Sequence, residues 1–107
     1  MAPGSEAEAI VRADLCARID RLAAELPHLK PGGLAFAVDD IRRVARDHGF
    51  VPVADLARGL ESAIAASGGA TIVLPFLEAM SDAAWSAERN AEASRAYLAS
   101  VGLRLHG

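Results

Sequence analysis

Apolar residues recur at helical spacing in four segments of the chain, and the first segment occupies its N-terminal quarter. Ser5 is suited to cap a helix, because its hydroxyl can accept a hydrogen bond from a backbone N–H of the first turn. A single apolar stripe then follows, made of Val11, Leu15, Ile19, Leu22 and Leu26. Pro27 interrupts this pattern, and the stretch from there to Gly33 reads as a connection. We predict a first helix from near Ser5 to Pro27.

A second helix is predicted from about Leu34 to His48. Its apolar face consists of Leu34, Ala37, Val38, Ile41, Val44 and Ala45. A projection at about 100° per residue places His48 near the middle of this face. Gly49 follows, where a residue that ends a helix by adopting a left-handed conformation belongs.

Two further helices are predicted in the second half of the chain. The third opens near Pro52 and stops at Ser67-Gly68-Gly69, with an apolar face of Val53, Leu56, Ala57, Leu60 and Ile64. The fourth opens with Thr71 as its cap and Pro75 in its first turn. Its pattern continues through Phe76, Leu77, Met80, Ala84, Ala91, Leu98 and Val101 to Gly102. A break near Asn90 is left open.

Four amphipathic helices with short connections predict an all-α fold, namely an antiparallel up-down four-helix bundle. Isolated helices of this length are marginal in water, so the apolar stripes are expected to pack on one another. The chain of 107 residues is long enough for one core, and we expect a single domain over residues 1–107.

Composition and charge narrow the classes of function. The net charge is −3, which gives no electrostatic footprint for nucleic acid, so no nucleic-acid partner is expected. Cys16 is the only cysteine, so it cannot form an internal disulfide, and a small apolar filler on a helix is the favoured interpretation. Neither a metal site nor a cofactor is predicted, and no nucleophile motif indicates an enzyme.

The chain carries no signal that directs it to a membrane. Its N-terminus lacks a basic segment followed by an apolar one. The densest apolar run, Ile72 to Leu77, contains Pro75 and is too short to cross a bilayer. We therefore expect a cytoplasmic protein with no membrane partner.

The polar face of the second helix holds the candidate binding residues. Asp39, Arg43 and Arg46 fall opposite the apolar stripe, Arg42 lies towards that face, and Phe36 lies near its edge. The arginines three and four residues after Asp39 are within pairing range. One interpretation is a solvated face of ion pairs. The other is a docking surface, because an aromatic residue beside arginines is typical of interfaces.

The stretch from Val38 to Glu61 resembles the central two helices of a histidine-phosphotransfer domain. The pattern of that family begins with six consecutive positions: a small residue, the phosphoacceptor histidine, any residue, leucine, lysine and glycine. A glycine and a leucine-glutamate pair follow later in the pattern. The matching positions here are Val38, Asp39, Ile41, Arg42, Arg43, Gly49-Phe50, Leu56, Leu60 and Glu61. The resemblance implies a four-helix bundle that exchanges phosphoryl groups with the receiver domain of a response regulator.

Three positions depart from the family pattern. Asp39 stands where the histidine is expected, and an aspartate cannot do the chemistry of a neutral imidazole. Arg42 replaces the lysine conservatively. Arg43 replaces a glycine that leaves room for the receiver, so it either obstructs that approach or contributes a contact to the receiver's acidic pocket. The expected function is a non-catalytic adaptor that binds a receiver domain or a histidine kinase through Phe36, Asp39, Arg42, Arg43 and Arg46.

Two alternatives remain open from the sequence. The first alternative is a phosphoryl carrier that uses His28 or His48, although Pro27 and Pro31 bracket His28 in a loop and a capping or partly buried role is favoured for His48. His106 lies at the terminus. The second alternative is a plain helical interaction module or homodimer unrelated to phosphorelay. Trp85 and Tyr97 are expected to be core or interface residues in any of these cases.

Overall fold

The chain is all-helical in the part that is described. A computed structural model describes residues 3–67 and 70–86, and within these ranges it contains four α-helices and no strand. The elements in chain order are α1 (Pro3–Glu25), a 3₁₀ turn (Leu26–His28), α2 (Pro31–Asp47), α3 (Val51–Ser67), a second 3₁₀ turn (Ala70–Ile72) and α4, which is helical over residues 73–86. The predicted all-α class and the four helices are confirmed.

The helices begin earlier than their apolar stripes. Helix α1 starts at Pro3 and not at a Ser5 cap, and α2 starts at Pro31 and not near Leu34. Proline is favoured at the first helical position, because its fixed φ suits a helix and its missing N–H would have no partner there. Lys30 is the N-cap of α2 in an extended conformation, and its carbonyl accepts the Leu34 N–H at 3.0 Å.

The fourth helix also begins differently from its prediction. Thr71 was expected to cap it, but Thr71 lies inside the 3₁₀ turn Ala70–Ile72, and the α-helix begins at residue 73. Pro75 is therefore in the first turn, as predicted. The predicted continuation through Ala91 to Gly102, with the break near Asn90, lies outside the described residues, as do Tyr97 and His106.

A tight glycine turn joins α2 to α3. Gly49 has a φ of +79°, in the left-handed region that favours glycine. The Phe50 N–H donates to the Ala45 carbonyl at 2.8 Å and the Gly49 N–H donates to Arg46 at 3.3 Å, which is the pattern of a Schellman cap. The Phe50 carbonyl then accepts the Ala54 N–H at 3.0 Å, so Phe50 both closes α2 and opens α3. The predicted role of Gly49 is confirmed.

All four helices contribute side chains to one core. Its buried apolar members are Leu15, Ile19, Leu22, Leu34, Val38, Ile41, Ala45, Phe50, Val53, Ala57, Leu60, Val73, Leu77, Met80 and Ala84. The partly buried residues that pack against it include Val11, Leu26, Ala37, Val44, Leu56, Ile64 and Phe76. The predicted stripes therefore face the core, because each side chain removed from water on that face stabilises the folded state. Cys16 is half-buried against the same core, as its filler role requires, and burial raises the pKa of its thiol.

Helices α1 and α4 also meet through a cation–π contact. The guanidinium of Arg12, which is only 7% exposed, lies 5.7 Å from the centroid of the Trp85 ring. Trp85 is itself 48% exposed, so it joins two helices at the surface of the protein. Within residues 3–67 and 70–86, no helix is long and apolar enough to span a bilayer.

Candidate functional site

The candidate site is the outward face of α2. Leu34, Val38, Ile41 and Ala45 are the buried residues of this helix, so its opposite side faces solvent. Asp39 lies at the midpoint of the 17-residue helix, on that open side. Phe36, one turn earlier, is 70% exposed. The sequence placed Phe36 near the edge of this face, and the structure makes it one of the most exposed apolar side chains described.

Two arginines hold the Asp39 carboxylate, one on each oxygen. Arg42 donates from Nη2 to Oδ1 at 2.6 Å, and the Nε of Arg43 lies 3.1 Å from Oδ2. The hydrogen bond from Arg42 is the largest cause that lowers the pKa of Asp39, and the charges of Arg42, Arg43 and Arg46 lower it further. Asp39 is therefore an ionised, ion-paired carboxylate at neutral pH.

Arg42 connects the site to α3. Its Nε donates to Oε1 of Glu61 at 3.2 Å, while its Nη2 binds Asp39. These two acceptors raise the pKa of Arg42, the Asp39 bond contributing most. Arg42 is consequently half-buried, with 26% of its side chain exposed, and it is a link between helices as well as a surface charge. The sequence placed Glu61 in the motif but gave no reason to pair it with Arg42.

Arg43 and Arg46 are the more accessible cations of the face. Their side chains are 48% and 59% exposed, respectively. Arg46 makes a long contact of 3.4 Å with the neighbouring Asp47. Exposed pairs of this kind contribute little to folding, so both guanidinium groups can exchange their present partners for those of another molecule.

Asp40 does not join Asp39 in an acidic cluster. It contacts Arg18 of α1, and Arg18 also binds Asp14 one turn away in its own helix at 2.7 Å. The two neighbouring carboxylates therefore take part in different contacts: Asp39 pairs with Arg42 and Arg43 of its own helix, whereas Asp40 contacts α1. Sequence reasoning missed the contact with Arg18, for which a single helical projection contains no signal. Among residues 3–67 and 70–86, no three potential metal ligands come together.

Helix α3 adds residues that the sequence did not single out. A groove of about 180 Å³ lies between α2 and α3, and its lining is Arg42, Arg46, Val51, Ala54, Asp55 and Arg58. Val51 is 58% exposed, and Arg58 pairs with Asp55. Next to the Asp39–Arg42 pair, a second groove of about 360 Å³ is lined by Ala35, Asp39, Glu61, Ile64 and Ala65. The surface around the candidate site thus spans both helices.

Charges on this surface are closely balanced. Its four arginines, Arg42, Arg43, Arg46 and Arg58, each contact at least one carboxylate from the set Asp39, Asp47, Asp55 and Glu61. The face is therefore strongly polar without being uniformly positive. Such a surface favours a partner that also presents both signs of charge around an apolar contact, for which Phe36 and Val51 are available.

The two described histidines lie away from the middle of any α-helix. His28 is exposed in the 3₁₀ turn Leu26–His28. His48 is exposed at the C-cap of α2, whereas the projection placed it on the apolar face. That placement was wrong because α2 ends at Asp47 and the chain turns before the helical register reaches His48; the capping position that the sequence also suggested is the one observed.

Comparisons of the chain with protein-family models, with curated proteins and with solved structures gave no match.

Proposed function

We propose that the chain is a non-catalytic module resembling a histidine-phosphotransfer domain, and that it binds a receiver domain or a histidine kinase. The proposed architecture is an antiparallel up-down bundle. The order of contacts between α2 and α3 supports it: Ala35 and Ile64 line one groove, Arg42 pairs with Glu61, and Arg46 shares the next groove with Val51. Later residues of α2 thus meet earlier residues of α3.

The position of Asp39 is the observation that carries the proposal. A phosphotransfer histidine stands exposed midway along a helix of such a bundle, and Asp39 occupies that place in α2. Two arginines pair with it and lower its pKa, so it presents an ion-paired carboxylate where the family presents a nucleophilic nitrogen. An aspartate that accepts a phosphoryl group in a receiver relies on an acidic cluster with a bound metal. Asp40 engages Arg18 instead of completing such a cluster.

The binding surface consists of Phe36, Asp39, Arg42, Arg43 and Arg46. Phe36 supplies an exposed aromatic anchor, a residue type that contributes strongly to binding when a partner covers it. Arg43 and Arg46 supply the accessible guanidinium groups that contact the acidic pocket of a receiver. Arg42 offsets the charge of Asp39, which would otherwise repel that pocket. Bound in this way, the module sequesters its partner or competes with a phosphorylatable relative.

Charge reversal at the accessible arginines tests this surface. We expect Arg43→Glu combined with Arg46→Glu to weaken receiver binding at least tenfold in isothermal titration, because repulsion replaces two attractive contacts. The matched control is Arg21→Glu combined with Lys30→Glu, which changes the net charge equally at exposed positions outside the proposed surface. Circular dichroism should show an intact helical fold in both variants. Unchanged binding in the Arg43/Arg46 variant would place the interface elsewhere.

Phosphoryl transfer to the chain would contradict the non-catalytic proposal. The exposed His28 and His48 are the acceptors to examine in that event. Transfer that disappears in a His28→Ala, His48→Ala variant would establish an active carrier, and transfer that persists would point to another acceptor.

A further inference from the structure

An open apolar groove of about 270 Å³ lies between α1 and α4. Ile19 and Leu77 are the buried part of its lining, and Leu74 lines it with 47% of its surface exposed. Leucine is among the residues that a folded protein usually buries, so an apolar group placed here would remove both surfaces from water. Pockets that enclose small molecules have volumes of roughly 300–1,000 Å³, so this smaller groove is better suited to the side chains of another protein.

The charged residues of the groove are all acidic. Asp20 of α1 and Glu78 and Asp82 of α4 are exposed and line it, and none of its described lining residues is basic. None of the three carboxylates forms an ion pair within residues 3–67 and 70–86. On α2 and α3, by contrast, every acidic residue contacts an arginine; these residues are Asp39, Asp40, Asp47, Asp55 and Glu61. The described surroundings of the groove therefore leave its negative charge uncompensated.

The basic residues of α1 do not offset this charge, and α4 has none between residues 73 and 86. Arg18 and Arg21 of α1 line a separate cavity that faces α2. Arg12 is only 7% exposed and lies over the ring of Trp85. The cations that would pair with the three carboxylates are therefore left for a partner to supply.

We propose that the α1/α4 groove binds an amphipathic helix of a partner protein, whose apolar residues are flanked by lysines or arginines. Leu74, Glu78 and Asp82 are spaced four residues apart, so they form one row along α4 that is about 12 Å long. A helix along this row places apolar side chains in the groove and the flanking cations beside the carboxylates. An extended segment gains less, because the two helices offer no strand edge that could pair with its backbone.

This site is separate from the proposed receiver-binding surface and does not depend on it. The residues of that surface all lie on α2, and none of them lines the groove. The acidic residues of the groove also repel phosphate-bearing partners such as nucleic acids and anionic membranes, which favours a basic protein segment as the occupant. The chain can therefore bind a receiver through α2 and a basic helix through α1 and α4.

A synthetic helical peptide with leucines on one face and lysines on the other tests the groove. A peptide of the same composition in scrambled order keeps the charge but has no apolar face. In isothermal titration at physiological salt, the wild-type chain should bind the amphipathic peptide at least tenfold more tightly than the scrambled one. Trp85 is the only tryptophan of the chain and lies one turn after Asp82, so its fluorescence should change on binding.

Charge reversal at the groove should weaken this binding. We expect Glu78→Lys combined with Asp82→Lys to lower the affinity for the amphipathic peptide at least tenfold, because repulsion replaces attraction. The matched control, Asp47→Lys with Asp55→Lys, makes the same change in net charge at exposed positions of α2 and α3. Its affinity should stay within about threefold of the wild type, since charges distant from the peptide are screened by salt.

An apolar variant tests the groove without a change of charge. Leu74→Ala should lower the affinity about three- to tenfold, because it removes apolar surface that the peptide covers. Val51→Ala, at an exposed apolar residue of α3, should leave the affinity unchanged. Circular dichroism verifies that each variant keeps the helical content of the wild type. Absence of binding, equal affinity for the scrambled peptide, or equal losses in a groove variant and its matched control would overturn the proposal.

Discussion

Asp39 and Asp40 are neighbours in the sequence but take part in different contacts. Asp39 is held by Arg42 and Arg43 on the open face of α2, and Asp40 contacts Arg18 of α1. Consecutive helical residues point about 100° apart, and these two carboxylates pair with different arginines. The chemistry available at the midpoint of α2 is therefore that of one ionised carboxylate with cationic neighbours.

We predict that Asp39 titrates below the ordinary range of an aspartate. The hydrogen bond from Arg42 lowers its pKa, with smaller effects of the charges of Arg43 and Arg46. A nuclear magnetic resonance titration of the side-chain carboxyl carbon should show this directly. In Arg42→Gln the pKa should return towards that of a free aspartate, whereas Arg21→Gln should leave it unchanged. An Asp39 that titrates in the ordinary range in the wild type would contradict the ion pairs described here.

The same shift determines how pH affects stability. The folded-state pKa of Asp39 is below the unfolded value of about 3.9, so its ion pairs stabilise the fold at pH values above that unfolded value. The contribution is lost as pH falls through the folded-state pKa. The difference in unfolding free energy between the wild type and Asp39→Asn should accordingly shrink on acidification. If this difference in unfolding free energy grew as the pH fell, it would contradict a lowered pKa of Asp39 in the folded state.

The same substitution at a buried isoleucine, Ile41, and at an exposed one, Ile10, tests the position of the core. Ile41 is 1% exposed and Ile10 is 70% exposed. We expect Ile41→Ala to lower the unfolding free energy by about 2–5 kcal/mol, since it removes buried methyl groups and leaves a cavity. Ile10→Ala should change it by less than about 0.5 kcal/mol. Urea unfolding measures both, and equal effects of the two substitutions would contradict the placement of α2 against the core.

At the scale of the elements, the connection between α2 and α3 depends on a single backbone conformation. Gly49→Ala should destabilise the fold by about 1–2 kcal/mol, the cost of a left-handed conformation for a residue with a Cβ. The cost is one of backbone alone, because an added Cβ would meet no atom within 4 Å.

Gly32 is the matched control for that substitution. It also has open space around its Cβ position, but it lies in the first turn of α2 without a positive φ. Gly32→Ala should therefore be neutral or raise the unfolding free energy by up to about 1 kcal/mol. Thermal unfolding measures the stability of both variants relative to the wild type. A Gly49→Ala variant as stable as the wild type would show that the turn does not need a glycine in the left-handed conformation.

The four helices could be predicted from the sequence, and so could the start of α3 near Pro52, but the first residues of α1, α2 and α4 could not. The stripes through Leu15, Val38 and Leu60 are periodic because one face of each helix is buried in the core. Apolar residues therefore recur at helical spacing, and this spacing can be recognised in the sequence. A helix start has no such periodicity. Pro3 and Pro31 begin α1 and α2, whereas the sequence favoured Ser5 and Leu34, since the residues before the first apolar position of a helix follow no regular spacing.

At the scale of the whole molecule, the sequence could predict the residues of the site that lie on α2, but not the contacts of those residues with other helices. Phe36, Arg43 and Arg46 are exposed on α2, as the projection indicates. The contacts that other helices supply, Arg42 with Glu61 and Asp40 with Arg18, depend on how the helices pack. Spacing along one helix contains no information about such contacts, which is why Arg58 and Val51 of α3 were missed as well.

Phosphoryl transfer and binding, followed together, test the central claim most directly. The purified chain is incubated with phosphorylated response regulators from its own organism, with Arg43→Glu, Arg46→Glu as the comparison variant. We predict a complex with a receiver, no phosphoryl group on the chain, and loss of the complex in the variant. Transfer of the phosphoryl group to the chain, or failure of every receiver and histidine kinase to bind, would contradict this prediction.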